Sequence, residues 1–420
     1  MSEVRAGYRQ TELGLVPEDW DIAPLGSIGK FRNGINKPKD AFGSGYPFVN
    51  LMDVFGVSKI SASNHLGLIE TSEADRSTYD LKTGDVLFIR SSVKPSGVGL
   101  TTVVAQDLPL TVYSGFLLRF RDQGRLTTEY KAHCFHNERF RSQIIASSTV
   151  SANTNINQSA LKNLSICYPP SAAEQQAIAE ALGDADALIE GLEALIIKKR
   201  GIKQGAMQEL LSGNRRLPGF QGIWSTESLG KLGQWRGGAT PTMSRADFWD
   251  EGTIPWVSSS DVRVGVVIPT HLITEKAVKE SSTTLVVPGT ILFVTRSGIL
   301  RRFLPVALAP MPIAINQDIK ALTLRKDVFD SFVFHALVGA SEAILASCMK
   351  SGTTVESIEL VWLKKFEIAM PPTLDEQRAI ASVLSDMDAE IAALEDKLAK
   401  ARAFKQGMMQ VLLTGEIRLI

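Results

Sequence analysis

Cysteine, long apolar runs and net charge are all scarce in this chain, and each scarcity excludes a class of protein. Three cysteines in 420 residues, Cys134, Cys167 and Cys348, are too few and too far apart for a disulfide framework or a four-ligand zinc site. No apolar run reaches the roughly 18–20 residues of a membrane span. The polar first residues predict no secretory signal. We therefore expect a cytoplasmic globular protein of two to four domains, without a membrane partner.

The sequence also lacks the short motifs that carry common enzyme chemistry. It contains no phosphate loop of the G-x-x-x-x-G-K-[ST] type, no G-x-G-x-x-G that opens a helix and no H-E-x-x-H. It has no N-P-P-aromatic or D-P-P-aromatic tetrapeptide of the kind that aminomethyltransferases carry. His133, Cys134 and His136 form an H-C-F-H cluster that has no counterpart in the other half of the chain. A metal site would need more ligands, so we interpret them as partly buried helix residues. These absences predict no catalytic, metal or cofactor-binding residues.

The chain is an internal repeat. KQGAMQELLSGNRRL, which begins at Lys203, matches KQGMMQVLLTGEIRL, which begins at Lys405, at ten of fifteen positions. At the same spacing of 202 residues, PPSAAEQQAIAEALGDAD from Pro169 faces PPTLDEQRAIASVLSDMD from Pro371. Trp20 and Trp224 match near the other end of each copy, and we expect both to be core residues. Such self-similarity determines the architecture of a chain.

Each copy predicts a globular domain followed by one long helix. Short apolar runs such as Val86–Ile89 and Ile291–Val294 read as strands. A helix is expected near 127–147 in the first copy and near 328–346 in the second. The boundaries are therefore 1–170, a first domain with net charge +2; 171–213, a helix with −3; 214–371, a second domain with +3; and 372–420, a helix with −2.

The two long helices carry a heptad pattern of apolar residues. S-x-x-E capping boxes at Ser171 and Thr373 predict where they begin, and Gly213 and Gly415 predict where they end. Apolar positions stepping 4-3-4-3-4 indicate a coiled-coil seam in each. The seam residues are Ile178, Leu182, Ile189, Leu192, Ile196, Ile380, Leu384, Met387, Ile391, Leu394 and Leu398. The pattern leaves parallel and antiparallel pairing open, and two-fold pseudo-symmetry would make the pair antiparallel. The predicted fold class is α+β, with two similar mixed α/β domains separated by paired helices.

Polar and basic loops follow matching strands in the two copies. Arg, Lys, Asn, Ser and Thr are the side chains that bind phosphates and read base edges, although exposed loops often carry them without any such role. The candidate DNA-binding residues are Arg90, Ser91, Lys94, Asn153, Thr154, Asn155, Arg296, Ser297, Arg301, Lys350, Ser351 and Thr353.

Two variable regions, each followed by P-P-x-x-x-E-Q-x-x-I and by a helix ending K-Q-G-x-M-Q-x-L-L-[ST]-G, resemble the specificity subunit of type I restriction-modification systems. Pro169–Leu217 and Pro371–Leu419 carry this motif, and the resemblance covers essentially the whole chain.

The resemblance implies a sequence-specific DNA-binding protein that is not itself an enzyme. Each target-recognition domain would read one half of a bipartite, asymmetric site in double-stranded DNA. The paired helices would set the unread spacer and dock two modification (methyltransferase) subunits, and restriction (motor-nuclease) subunits would add cleavage. S-adenosylmethionine, Mg and ATP would bind those partner subunits only.

Two alternatives stay open at this point. The chain could be the specificity subunit of a type IIB-like restriction-modification system, which shares the architecture but has a fused methylase-nuclease partner. It could also be a structural scaffold or adaptor that pairs helices and reads no DNA. Binding of a specific DNA sequence would exclude the scaffold.

Overall fold

The computed structural model describes residues 5–62, 64–350 and 355–419. They form two compact units: unit 1 comprises Met1–Glu193 with Asp396–Ile420, and unit 2 comprises Ala194–Glu395. Each unit therefore combines a globular region with parts of both long helices. The four linear segments predicted from the sequence stay a prediction about domain boundaries.

Unit 1 contains fifteen strands and six short helices among its described residues. The strands are β1 (Tyr8–Thr11), β2 (Gly14–Pro17), β3 (Asp21–Pro24), β4 (Gly29–Asn33), β5 (Phe42–Val49), β6 (Lys59–Ile60), β7 (Gly67–Ile69), β8 (Val86–Ile89), β9 (Ser91–Ser92), β10 (Thr101–Val104), β11 (Val112–Tyr113), β12 (Leu117–Asp122), β13 (Thr149–Val150), β14 (Thr154–Asn155) and β15 (Ser165–Tyr168). The helices are α1 (Leu25–Ile28), α2 (Leu51–Val54), α3 (Glu73–Thr78), α4 (Thr128–Cys134), α5 (Glu138–Ala146) and α6 (Gln158–Asn163). Helix α7 (Ala172–Leu210) follows and continues into unit 2.

Unit 2 repeats this order with fewer strands. Its strands are β16 (Ser225–Ser228), β17 (Gly233–Gly237), β18 (Ile254–Val257), β19 (Val262–Arg263), β20 (Val266–Val267), β21 (His271–Ile273), β22 (Thr284–Val286), β23 (Ile291–Val294), β24 (Val306–Leu308), β25 (Ile313–Ile315), β26 (Ile319–Leu324) and β27 (Glu367–Met370). Its helices are α8 (Ala246–Trp249), α9 (Glu275–Glu280), α10 (Asp330–Gly339), α11 (Ser341–Cys348) and α12 (Leu360–Lys365), before α13 (Leu374–Leu412).

The central sheets of the two units share one strand order. Unit 1 has β4-β12-β8-β10-β6, and unit 2 has β17-β26-β23-β24. The first four strands of unit 1 and all four of unit 2 pair antiparallel. A second sheet accompanies each, β11-β5-β7 in unit 1 and β21-β18-β25-β22 in unit 2, and each contains one parallel pair. The repeat in the sequence is thus a repeat in topology.

Fully apolar runs form the central strands because both faces of each sheet are covered. All four residues of β8 and all four of β23 are buried. Trp20 is buried as expected, whereas Trp224 is half-buried, and the matching pair Phe48 and Trp256 is buried.

The single helices expected near 127–147 and 328–346 are each two helices, so that prediction was wrong in detail. In unit 1, α4 ends at Cys134 and α5 begins at Glu138. Asn137 starts the second helix, because its side-chain oxygen accepts the backbone N–H of Phe140 at 2.8 Å. In unit 2 the break lies at Ala340, between α10 and α11.

Helices α7 and α13 are each 39 residues long, about 58 Å at 1.5 Å per residue. They end just before Gly213 and Gly415, which adopt positive φ angles of 76° and 73°. Among the predicted seam residues, Ile189, Met387 and Leu394 are half-buried, and the remaining eight are buried.

Within each unit, ion pairs join the two long helices with opposite chain directions. In unit 1, Lys405 pairs with Asp186 and Arg402 pairs with Glu193 at 2.5 Å. Residue numbers fall along one helix as they rise along the other, so these segments run antiparallel. In unit 2, Lys203 pairs with Asp388 and Arg200 pairs with Glu395 at 2.6 Å. The four pairs are two pairs repeated at the spacing of 202 residues.

No single helix in the described ranges has both the length and the hydropathy of a membrane span. Helices α10 and α11 pass only when they are counted together across a bend of 69°.

Candidate nucleic-acid interface

A small antiparallel sheet in the order β13-β14-β9 contains the candidate residues Ser91, Thr154 and Asn155 of unit 1. Asn153 lies just before β14. Asn155 pairs with Ser91, and Thr154 pairs with Ser92. Arg90, just before β9, is anchored by its backbone, because its carbonyl accepts the N–H of Ile156 at 2.9 Å. Lys94 lies two residues beyond β9 and is exposed. Two loops some 60 residues apart in sequence thus form one surface.

Unit 2 builds the same contact from its own loops. Arg296 forms an antiparallel bridge with Ser357. The N–H of Ser297 donates to the carbonyl of Glu356 at 3.1 Å, and that of Lys350 donates to the carbonyl of Ser357 at 2.8 Å. Ser351 and Thr353 lie outside the described residues.

Backbone hydrogen bonds define which residues of the two ladders correspond. The N–H of Arg90 donates to the carbonyl of Phe116, and the N–H of Thr295 donates to that of Asp318, both at 2.8 Å. Arg90 therefore corresponds to Thr295, and Arg296 corresponds to Ser91. The ungapped alignment of the preceding strands, which sets Gly84 against Gly289, gives the same correspondence.

The candidate cations differ in how they are engaged. Arg90, Lys94, Arg296 and Lys350 have no side-chain ion pair to another described residue. The Arg301 guanidinium, in contrast, donates to the Glu356 carboxylate, and this hydrogen bond lowers the pKa of Glu356.

The glutamines of the repeated E-Q dipeptide form hydrogen bonds between each long helix and its globular region. The sequence motif had shown this dipeptide but had not indicated a role for it. Gln175 accepts the backbone N–H of Thr127 at 2.7 Å, and Gln377 accepts that of Phe329 at 2.8 Å. Thr127 and Phe329 are the N-cap residues of α4 and α10, so each glutamine binds the N-terminus of an equivalent helix. Their recurrence 202 residues apart was the signal that could have found them.

The glutamates of that dipeptide bind arginines, whereas we had expected them to complete capping boxes. The hydroxyl of Ser171 does accept the N–H of Glu174 at 3.4 Å. The buried Glu174 carboxylate, however, receives two hydrogen bonds from Arg418. In unit 2, the fully buried Glu376 receives the same two from Arg216, at 2.5 and 2.7 Å.

A buried histidine in each unit lies against the long helices. His133 Nδ1 is 3.9 Å from an Asp186 oxygen, and His335 Nδ1 is 3.9 Å from an Asp388 oxygen. His335 lies 202 residues after His133, so the expectation that nothing answers the H-C-F-H cluster was wrong for its first histidine. Burial lowers the pKa of both to about 4, which keeps them neutral near pH 7.

The described residues contain no group of three or more histidine, cysteine, aspartate or glutamate side chains placed to hold a metal ion. Cys134, Cys167 and Cys348 are buried free thiols.

Comparisons with known proteins agree with this duplicated arrangement. The sequence model of the family described as "Type I restriction modification DNA specificity domain" matches twice, at residues 17–198 and 223–402. The chain is 35% identical over 184 residues to the type I restriction enzyme EcoR124I/EcoR124II specificity subunit of Escherichia coli, covering 44% of this chain and 45% of that relative. The chain thus spans about half the length of that relative.

Two longer matches cover nearly the whole chain. The putative type I restriction enzyme MjaX specificity subunit of Methanocaldococcus jannaschii is 26% identical over 430 residues, covering 98% of this chain and 97% of that protein. The crystal structure of a type I restriction-modification S subunit from M. genitalium shares the fold, with a TM-score of 0.57 at 14% identity, covering 94% of this chain and 96% of that one. The chain belongs to the family of type I restriction-modification specificity subunits and contains two copies of its DNA specificity domain.

Proposed function

We propose that this chain selects the target of a type I restriction-modification complex, with each unit reading one half of a bipartite, asymmetric site in double-stranded DNA. One observation carries this proposal: the same backbone ladder occurs in both units with different side chains on it. Ser91 and Asn155 occupy the positions that Arg296 and Ser357 occupy in unit 2. A shared frame with different hydrogen-bonding groups suits two readers of different base sequence.

The two long helices pair along their length as an antiparallel coiled coil in this proposal and set the unread spacer between the half-sites. They also dock two modification subunits, to which restriction subunits are added. The ion pairs inside each unit support this pairing, and the net negative charge of both helical segments suits contact with protein over contact with phosphate.

The chain has no methylase or nuclease activity of its own in this proposal, and S-adenosylmethionine, Mg and ATP bind the partner subunits. The relatives named above are type I subunits, which favours a type I partner set over the fused partner of a type IIB-like system. Purified chain with labelled S-adenosylmethionine and mixed DNA should transfer no methyl group. Transfer above background without a modification subunit would contradict the proposal.

The main test is to produce the chain with its modification subunits and to sequence the methylated adenines. We expect two specified blocks separated by an unspecified spacer. Exchanging Leu229–Glu367 for the matching region of another specificity subunit should change one block and preserve the other. A change in both blocks would contradict independent reading.

The spacer is tested by insertion near Gly205. Four added residues lengthen the helix by about 6 Å and keep about one full turn, so the apolar face keeps its direction. The spacer should then grow by one or two base pairs of about 3.4 Å each. Two added residues rotate the seam by more than half a turn and should abolish assembly. Survival of activity with an unchanged spacer after the longer insertion would refute the role in spacing.

A further inference from the structure

The outer face of the β13-β14-β9 sheet carries an unusual mixture of side chains. Directly paired residues on neighbouring strands share a face, and alternate residues point to opposite faces. Thr154 is buried, and the Ser92 hydroxyl oxygen would lie 2.3 Å from a Cβ at Gly97, so this pair faces inward. Ser91 and Asn155 therefore face outward.

Val93 follows β9 directly and lies in a bend, two residues after Ser91. It is 81% exposed, although valine is among the residue types most often buried. Phe116, whose carbonyl accepts the N–H of Arg90, is 57% exposed at the same strand ends. An apolar side chain exposed this far gains nothing from folding, but it could be covered by a ligand with an apolar group.

The corresponding ladder of unit 2 carries a different chemistry. Arg296 replaces Ser91 and is exposed, and Ser357 replaces Asn155. The guanidinium of Arg296 has no ion pair to another described residue. The guanidinium of Arg301, in contrast, forms an ion pair with Glu356. A lone arginine on a ladder is suited to the two acceptors of guanine, and an asparagine is suited to adenine.

We propose that these two ladders are the base-reading elements, each presented as a short strand pair to the major groove, and that Val93 contacts the C5-methyl group of a thymine in the half-site of unit 1. The major groove admits a two-stranded ribbon, and the thymine methyl is the apolar group exposed there. This inference rests on the proposed function and adds to it the reading element, the groove and the residue that contacts the methyl group.

The test uses the chain assembled with its modification subunits and a duplex carrying both half-sites found by methylation sequencing. Each thymine of the first half-site is replaced in turn by uracil, which removes only the methyl group. We expect one replacement to weaken binding by the wild-type complex about three- to fivefold, which is the size of one buried methyl contact. The Val93→Ala complex should bind the unmodified duplex equally weakly and be indifferent to that uracil.

Val264→Ala is the matched control, because Val264 is an exposed valine of unit 2. It should keep the full response to uracil in the first half-site. In parallel, Asn155→Ala should relax one base position of the first half-site only, and Arg296→Ala should relax one position of the second only.

Three results would overturn the inference. One is a Val93→Ala complex that keeps the uracil response, another is a wild-type complex indifferent to uracil at every thymine, and the third is unchanged base preference in both ladder variants. If the wild-type complex still methylates a bipartite site, each of these results contradicts the inference alone and not the proposed function. A wild-type complex that shows no sequence preference would overturn both.

Discussion

Units 1 and 2 share the residues that join each globular region to the helices and differ in polar pairs inside the globular region. The arginine–glutamate pair, the glutamine on the domain helix and the histidine–aspartate contact recur at a spacing of 202 residues. The interior does not recur in this way. In unit 1, buried Lys131 and Asp122 form an ion pair at 2.6 Å. In unit 2, Val333 takes the position of Lys131 and Leu324 takes the position of Asp122.

A second interior position shows the same exchange. Arg121 forms two hydrogen bonds to the buried Asp85 in unit 1. Thr323 and Thr290 replace them in unit 2, with their hydroxyl oxygens 3.3 Å apart. The ion pairs of unit 1 are thus one of several solutions for filling the same sheet, and the contacts to the helices are what the repeat preserves.

The largest expected effect comes from breaking one interior ion pair and then converting it to the unit 2 solution. Asp122→Leu leaves a buried lysine without a partner and should lower the free energy of unfolding by about 3–5 kcal/mol. Asp122→Leu with Lys131→Val should recover most of this loss, because buried ion pairs are often replaceable by apolar residues. Urea unfolding of the two variants measures the difference, and a double variant no more stable than the single one would show that the interiors are not interchangeable.

Acid should destabilise unit 1 more than unit 2. Burial lowers the pKa of His133 and His136 in unit 1, and of His335 in unit 2, from about 6.5 to about 4. Asp186 and Asp388 oppose this shift only in part. Because the folded state keeps these histidines neutral, their full contribution is present above pH 6.5 and is lost as the pH falls toward 4. The loss can reach about 3 kcal/mol for each histidine.

Hydrogen exchange followed by mass spectrometry at pH 7 and pH 5, corrected for intrinsic exchange rates, measures this difference for each unit. His136→Gln should reduce the acid sensitivity of unit 1 and leave that of unit 2 unchanged. His271→Gln, at an exposed histidine, is the control. Equal acid sensitivity of both units in the unmodified chain would contradict the prediction.

The buried glutamates should differ in importance despite their equivalent positions. Arg418 also pairs with Asp19, at 2.8 and 2.9 Å, so Glu174→Gln leaves it one carboxylate. Among the described residues, Arg216 otherwise donates only to backbone carbonyls, those of Gln221 and Gly222. We expect Glu376→Gln to cost about 2 kcal/mol and Glu174→Gln about 1 kcal/mol. Thermal unfolding of both variants measures which one loses more stability. A larger loss from Glu174→Gln would contradict the prediction.

The smallest effect concerns DNA affinity and not folding. Glu356→Gln should weaken the hold on Arg301 and give unit 2 a further cation for phosphate. The logarithm of the binding constant should then fall more steeply with the logarithm of salt concentration, by roughly one unit of slope. Titrations at several salt concentrations measure this, with Glu342→Gln as a control. An unchanged slope would mean that Arg301 does not reach the DNA backbone.

The repeat made most of the architecture predictable, because two copies of one pattern reveal a globular region and a long helix at once. It could not reveal which partners join. Glu174 could bind Arg216 of its own copy or Arg418 of the other, and a perfect repeat makes both choices look the same. Only the antiparallel course of the helix segments within each unit selects Arg418.

The candidate DNA-binding residues could be chosen from the sequence only by their residue type and by their place after matching strands, and their role stays a prediction. Arg90 and Arg296 follow matching strands, but they are not equivalent positions. The backbone hydrogen bonds make Thr295 the counterpart of Arg90. This offset of one residue matters, because it changes which side chain faces outward. Val93 and Phe116 were missed because sequence alone makes an apolar residue near a strand a core residue.

The ion pairs between the long helices bear on how this chain could have originated. Asp186 and Asp388 are the same position in the two copies, as are Lys203 and Lys405, and each aspartate binds the lysine of the other copy. An ancestral protein with a single copy would therefore carry both halves of the contact. Two such molecules could pair about a two-fold axis with the same contacts, as an isologous dimer does. Gene duplication and fusion would then have joined the two subunits without a new interface and freed each copy to acquire its own target.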